Sequence, residues 1–262
     1  MINNLPTMDD FKKDKELFFD FLDFFFKFKP YDYQKNFLLK CLNCKRIAGK
    51  WCRQSGKSMT VSIYCLFKCL IEPTTFMISA PTQNQSSELY SKIRTLAESS
   101  FALQDELKKS TETELVFKNG SRIKALPTGP EGKTIRGFTA DVVIMEEAQG
   151  IKDEIVNTVI TPMLASKKDE GQLIKIGTPL VKNHFHRSCQ LDPNFEVVNV
   201  DWKLAVEAGQ YSQSFVDEQR KLLTDIEFMT EYGNEFVEEN SMFFPSSLIN
   251  SCLEDYNLIR VM

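Results

Sequence analysis

Apolar residues recur along this chain in two rhythms. Near the N-terminus, Phe18, Phe21, Leu22, Phe25 and Phe28 return every three or four positions, with Glu16, Asp20, Asp23 and Lys27 largely opposite. That period is one face of an amphipathic helix over residues 8–29, ended by Pro30 and expected to pack on the main domain. Tyr31-Asp32-Tyr33-Gln34 opens a second helix running to about residue 44. From there, short unbroken apolar runs alternate with helical stretches. Strands are expected at 46–51, 75–80, 141–145, 173–176 and 195–200, with helices over 57–71 and 85–98. Runs that are short and apolar throughout suit strands buried on both faces of a parallel sheet. Asn119-Gly120, between candidate strands 114–118 and 121–126, is a strong hairpin signal.

After Asp201 only helical spacing remains. Thr224 and Glu227 stand as a capping box for a helix carrying Phe228, Tyr232 and Phe236, and Ser214 and Asp217 have the same spacing one helix earlier. The chain therefore divides into an N-terminal helical arm (1–30), an α/β core (31–200) and a small helical lid subdomain with the start of a linker (201–262).

The strand at 46–51 runs into Cys52-Arg53-Gln54-Ser55-Gly56-Lys57-Ser58, and a helix runs out. This is a phosphate-cradling loop in the right context. Gly56 lets backbone N–H groups approach an anion, Lys57 supplies a cation for β- and γ-phosphates, and Ser58 completes a Mg²⁺ shell. The helix directs its positive end at the same phosphates. The first glycine of the usual Gly-x-x-x-x-Gly-Lys-Ser pattern is Trp51 here, and Arg53 sits inside the loop. Gly132-Lys133-Thr134 repeats the tripeptide but follows Pro127 and Pro130 rather than a strand, so Lys133 reads as a loop residue.

The apolar strand 142–145 ends in Glu146-Glu147. The first acid would hold the Mg²⁺ shell; the second would orient or deprotonate the water attacking the γ-phosphate. Glu146 stands where such strands usually carry aspartate. Gly177-Thr178 follows the next buried strand, where a hydroxyl can sense the γ-phosphate. Tyr33 and Gln34 could fix a base by stacking and hydrogen bonds. Arg136, eleven residues before Glu147, could stabilise developing phosphate charge in its own site or a neighbour's.

Bulk properties narrow the picture. The chain has 262 residues, 42% hydrophobic and 26% charged, as in ordinary globular proteins, and its 21 phenylalanines imply a large core or contact surface. A net charge of −4 excludes global attraction to nucleic acid, leaving local patches such as Arg122 and Lys124 on the hairpin. Seven cysteines, an odd number, and no secretory signal suit a reducing compartment. Cys41-x-x-Cys44 lies at helical spacing with no second pair, and His184 and His186 read as loop or surface residues. No apolar run reaches the length of a membrane span.

In order along the chain stand Asp32-Tyr33-Gln34, the arginine-bearing loop, Ala80-Pro81-Thr82-Gln83, Arg136-Gly137, Glu146-Glu147, Gly177-Thr178-Pro179, Glu227-Phe228 and Glu235-Phe236. This ordered set resembles the ATPase domain of the large terminase subunit, the motor that pumps viral DNA into empty capsids. The resemblance implies a RecA-like P-loop fold of the ASCE type, with a mostly parallel sheet covered by helices, an inserted catalytic-glutamate strand and a helical lid. It implies ATP and Mg²⁺ at Arg53–Ser58, Glu147 as catalytic glutamate, Thr178 as coupling residue, and Arg136 at the position of an arginine that some members insert into a neighbouring site. Implied partners are double-stranded DNA, a portal protein, a small terminase subunit and further copies in a ring, in the host cytoplasm. The family's nuclease domain would begin just after Phe243-Phe244-Pro245, so DNA cleavage is not expected of this chain. Two alternatives remain: a helicase-type ATPase, for which too few residues follow position 200, and a nucleotide-binding module that does not hydrolyse. A GTP switch lacks its Asn-Lys-x-Asp signature.

Overall fold

Three helices lead into a sheet of eight strands. In this computed structural model, residues 5–180 and 182–236 are described. Helices α1 (Met8–Lys13) and α2 (Lys15–Phe26) replace the single helix expected over 8–29. Asp14 makes the break: its backbone is extended, and its carboxylate caps α2 by accepting the Leu17 amide at 3.0 Å. The helix ends at Lys27, which turns left-handed ahead of Pro30. Its aromatic face points inward. Phe11, Phe18 and Phe21 meet Phe67 edge-on, with centroids 5.1, 4.8 and 5.6 Å away.

The chain continues through α3 (Asp32–Asn43), β1 (Arg46–Trp51), α4 (Lys57–Ile71), β2 (Thr75–Ala80), α5 (Gln83–Ser99) and α6 (Phe101–Gln104). Then come β3 (Leu107–Ser110), β4 (Glu114–Phe117), β5 (Arg122–Pro127) and β6 (Val142–Met145). A broken helical run follows: α7 (Asp153–Ile155), a π turn (Val156–Ile160) and α8 (Thr161–Met163). Last are β7 (Gln172–Gly177), α9 (His184–Gln190), β8 (Glu196–Val200), α10 (Trp202–Glu207), α11 (Gln213–Leu222) and α12 (Asp225–Glu231). No helix among the described residues is long and apolar enough to cross a membrane.

The sheet order is β3-β4-β5-β2-β6-β7-β1-β8. Pairing is parallel from β5 through β8, and β4 is antiparallel to both its neighbours. Strand periodicity sorts the core into two layers. Ile47, Phe76, Ile78, Val142 and Ile144 pack with the helices α1 to α5, whereas Ala48, Met77, Val143 and Met145 pack with the run from Ile151 to Leu164 and Phe185. Each buried branched side chain of this kind contributes about 1.5–3 kcal/mol. The hairpin forms, but with a longer loop than a two-residue Asn-Gly turn: Gly120 alone is left-handed (φ 93°), and the Phe117 amide donates to Ser121 O at 2.9 Å. Strand β3 escapes sequence reading because Leu-Lys-Lys-Ser is a short, charged edge.

The sheet has the extra strand that the resemblance implies. Strand β7, ending in Gly177, lies between β1 and β6, and the acid-bearing β6 pairs with β2 and β7. Because these strands run parallel, Trp51, Ala80, Met145 and Gly177 all open onto one edge of the sheet. Ligand crevices form at such C-terminal edges.

The lid helices pack on the loop after β1. Cys52 shares a cluster with Ala205, Tyr211, Val216, Phe228 and Tyr232. The Thr224/Glu227 capping box forms, but α11 is capped by Ser212, not Ser214. Phe236 also departs from expectation. Asn234 (φ 57°) turns the chain back, its amide donating to Val200 O at 2.6 Å, and Phe236 packs on Phe185 and His186 instead of the lid. His184 is buried in α9 and not a surface histidine.

Candidate active site

The loop after β1 is shaped from below. The Cys52 amide donates to Val200 O at 2.9 Å, extending the strand by one rung. Gln54 and Gly56 then turn left-handed, with φ 56° and 83°. Only glycine fits at 56: a Cβ there would lie 2.5 Å from Gln34 Nε2. The Tyr33 hydroxyl donates to Ser55 O at 3.0 Å, and Ser55 Oγ to Cys52 O at 2.6 Å. Tyr33 and Gln34 are thus buried supports beneath the loop. Tyr33 packs between Tyr31 and Trp51 and offers no open face for a base, which corrects the stacking role expected of it. Trp51, at the missing glycine, fills this layer against Phe37.

Above the loop is a cavity of about 590 Å³, bordered by Arg53, Gln54, Gly56, Lys57, Ser58, Glu146, Glu147, Gln149 and Thr178. A larger one, about 780 Å³, lies at the opposite edge of the sheet. There Gln172 is bonded to Tyr64, Cys41 and Cys44, and Lys45 and Lys68 pair with Glu170 and Glu72. The chemistry is concentrated in the smaller cavity. Lys57 begins α4, whose N-terminal amides face that space. Its ammonium lies 3.1 Å from Glu147 Oε1 and 3.7 Å from Glu146 Oε1.

The two acids differ. Glu146 is buried, and burial pushes its carboxyl up to about 7 against the pull of Lys57. Its Oε2 is buried with no hydrogen-bond partner among the described residues. Glu147 stands on left-handed backbone (φ 49°) just past β6. Burial alone would raise its carboxyl, but Lys57 and a 2.5 Å bond from Gln149 Nε2 hold it below the ordinary value. Lys57 is likewise penalised by burial, and the two carboxylates outweigh this and keep it charged. Thr178 Oγ1 donates to Trp51 O at 3.4 Å, joining the end of β7 to the loop.

Other expected residues lie elsewhere. Arg136 is exposed after a short 3-10 turn (Lys133–Ile135) and does not border the cavity. Lys133 pairs with Glu131 in that loop. Arg122 and Lys124 sit on β5, where the Lys124 ammonium is 4.3 Å from the Phe138 ring centroid and opposite Glu114 in register.

Sequence reading missed several bordering side chains. Gln149 had no motif to announce it. Glu231, from the lid, binds Arg53 across 178 residues. Gln85, Glu88 and Lys92 of α5 reach the cavity only because α5 packs beside α4.

Known proteins share this architecture. The ATPase domain of the large terminase from Thermus phage P74-26 superposes with a TM-score of 0.70, at 22% identity, over 83% of this chain and 98% of that one. The large terminase of a second thermophilic bacteriophage, in complex with ATP-γ-S, gives 0.59 at 15% identity, over 79% of this chain and 53% of its own. In sequence, the terminase large subunit of Thermus virus P23-45 is 28% identical over 228 residues, covering 73% of this chain and 46% of that protein. This chain therefore spans about half the length of that relative. Residues 52–251 match the family model described as terminase large subunit, T4likevirus-type, N-terminal, so the chain belongs to the large terminase subunit family.

Proposed function

We propose that this chain is the ATP-hydrolysing motor part of a large terminase subunit, driving double-stranded viral DNA into a procapsid. One observation carries the reading: Lys57 and Glu147 converge, 3.1 Å apart, at the mouth of a cavity bordered by the phosphate loop. On this reading Lys57 leaves the carboxylates for the β- and γ-phosphates, which the Gln54–Ser58 backbone and the α4 terminus also hold. Glu147 then orients a water in line with the γ-phosphorus and accepts its proton. Thr178, bonded to the loop through Trp51, relays the state of the γ-phosphate to the segment after β7.

The residues present fit Mg²⁺. The buried, unpartnered Oε2 of Glu146 needs a cation or its water shell, and Ser58 supplies a hydroxyl across the cavity. When bound, Mg²⁺ would neutralise charge on the β- and γ-oxygens. The thermophilic phage terminase in complex with ATP-γ-S supports nucleotide binding at such a domain. Arg136, exposed and outside the cavity, suits action on a neighbouring copy in a ring. The ring would dock on a portal protein in the host cytoplasm, with a small terminase subunit delivering DNA, and Arg122 and Lys124 are candidates for DNA contact.

The test is phosphate release from ATP with and without Mg²⁺. Turnover should need Mg²⁺ and vanish in Lys57→Ala and Glu147→Ala. Full activity in Glu147→Ala would refute the assigned base, and tight ATP binding without turnover in the unaltered chain would favour an assembly module.

A further inference from the structure

We propose that Gln149 is the positioning residue for the Glu147 carboxylate, and that position 177 is glycine because the Gln149 amide lies against it. This rests on Glu147 being the base. The geometry has three parts. First, an ionised carboxylate only accepts hydrogen bonds, so the amide must turn its NH₂ group toward Glu147 Oε2, 2.5 Å away. That leaves Gln149 Oε1 facing Gly177, buried and with no donor among the described residues. A Cβ at 177 would stand 2.0 Å from this oxygen, closer than any packing allows.

Second, among the described residues Glu147 has two side-chain hydrogen-bond partners, Lys57 on Oε1 and Gln149 on Oε2. Once Lys57 turns to a phosphate, the amide of Gln149 is the one of the two that still holds the carboxylate. Third, Gln149 is itself anchored. Its turn (Ala148–Gly150) starts at the left-handed Glu147, and its carbonyl accepts Asn183 Nδ2 at 2.8 Å. Asn183 in turn caps α9. One side chain therefore joins the Glu147 carboxylate to the end of β7, immediately before Thr178. A shift of β7 as small as an ångström would move the carboxylate, and misplacements of that size cost about 100-fold in rate.

Gln149→Met keeps the length and removes the donor. It should lower kcat by about 10- to 100-fold while the KM for ATP stays within about twofold and the melting temperature holds. Gln149→Glu should fall further, because a second carboxylate repels Glu147. Gly177→Ala should reproduce the loss, and Gln149→Ala combined with Gly177→Ala should be no worse than Gly177→Ala alone. Unchanged kcat in Gln149→Met overturns the proposal, as does a loss matched by equal losses of ATP affinity or melting temperature. Proton–nitrogen spectra read the contact without turnover. A Gln149 side-chain amide proton should resonate downfield and return to the free-amide position in Glu147→Ala. A free-amide position in the unaltered protein refutes the contact outright. If the unaltered protein releases no phosphate, the proposed function fails separately, and the spectra alone decide Gln149.

Discussion

The Arg53 guanidinium, on the loop after β1, meets the Glu231 carboxylate of α12 at two points, Nε to Oε2 at 2.5 Å and Nη2 to Oε1 at 3.1 Å. The Arg53 amide also donates to Glu231 O at 3.3 Å, so side chain and backbone both tie the loop to the lid. About two thirds of the Arg53 side chain is exposed (66%), which screens the pair and limits its stability contribution to about 1 kcal/mol or less. The pair is better understood as competition for the arginine. Glu231→Gln should shift the melting temperature by less than about 3 °C. It should also tighten binding of a non-hydrolysable ATP analogue by about threefold or more, roughly 0.7 kcal/mol. A large melting loss at constant affinity, in thermal and titration calorimetry, would make the contact structural.

Lys57 has a second consequence, for stability. It offsets two carboxylates, one of them buried. Removing one partner of a buried ion pair leaves the other uncompensated and costs about 3–5 kcal/mol. Lys57→Met should therefore destabilise the fold in urea denaturation as well as abolish turnover. At a pH well above 7, where Glu146 must still ionise, adding Glu146→Gln removes that buried charge and should recover much of the lost stability. No recovery in the double variant would mean that the cost comes from elsewhere in the loop.

How much of this was legible beforehand depends on distance along the chain. Local signals held: the strand, Gly56 and Lys57 in sequence fix the loop, and an apolar run ending in Glu146-Glu147 fixes where the acids emerge. Periodicity placed seven of the eight strands, and β3 was lost because an edge strand needs no apolar face. Asp14 was invisible as a break because the aromatic period continues across it. Long-range choices left no local mark. Nothing near Tyr33 indicates that its hydroxyl is spent on Ser55, nothing near Arg53 points to Glu231, and β7 could be placed between β1 and β6 only by seeing the sheet.

Arg136 lies outside the cavity formed by its own chain. If it completes a neighbour's site, one Arg136→Ala subunit disables an active partner. Mixing Arg136→Ala protein into unaltered protein, under conditions where the chain assembles, should depress activity more than in proportion to the fraction added. A straight-line dilution would place its action within its own subunit, or nowhere in catalysis.

One core ring touches both N-terminal helices. Phe67 of α4 is fully buried and contacts Phe11, Phe18 and Phe21. Phe67→Ala should cost about 3–5 kcal/mol, the usual result of emptying a large core site. Because the three partner rings belong to α1 and α2, it should also expose those helices first. Amide exchange over residues 8–26 should accelerate before exchange in the central strands does. Uniform acceleration across the sheet would show that the arm and core open as one unit.

His184 makes the fold sensitive to acid. Its Nε2–H donates to Ile151 O at 2.9 Å, and Nδ1 is buried without a partner among the described residues, so a second proton has no acceptor there. Burial, with Lys175 and Arg187 nearby, pushes the imidazole down to about 4, against the opposing effects of the Ile151 bond and Asp153. The sign follows from proton counting. Between about pH 6.5 and 4 the unfolded chain binds a proton that the native chain does not, so stability is full above that window and falls as pH drops through it. From pH 7 to 5 the loss from this one group is about 2 kcal/mol. His184→Gln retains a donor for Ile151 and cannot titrate, so its denaturation midpoint should fall less over the same interval. Parallel pH slopes for the two proteins would acquit His184 and move the acid sensitivity to other groups.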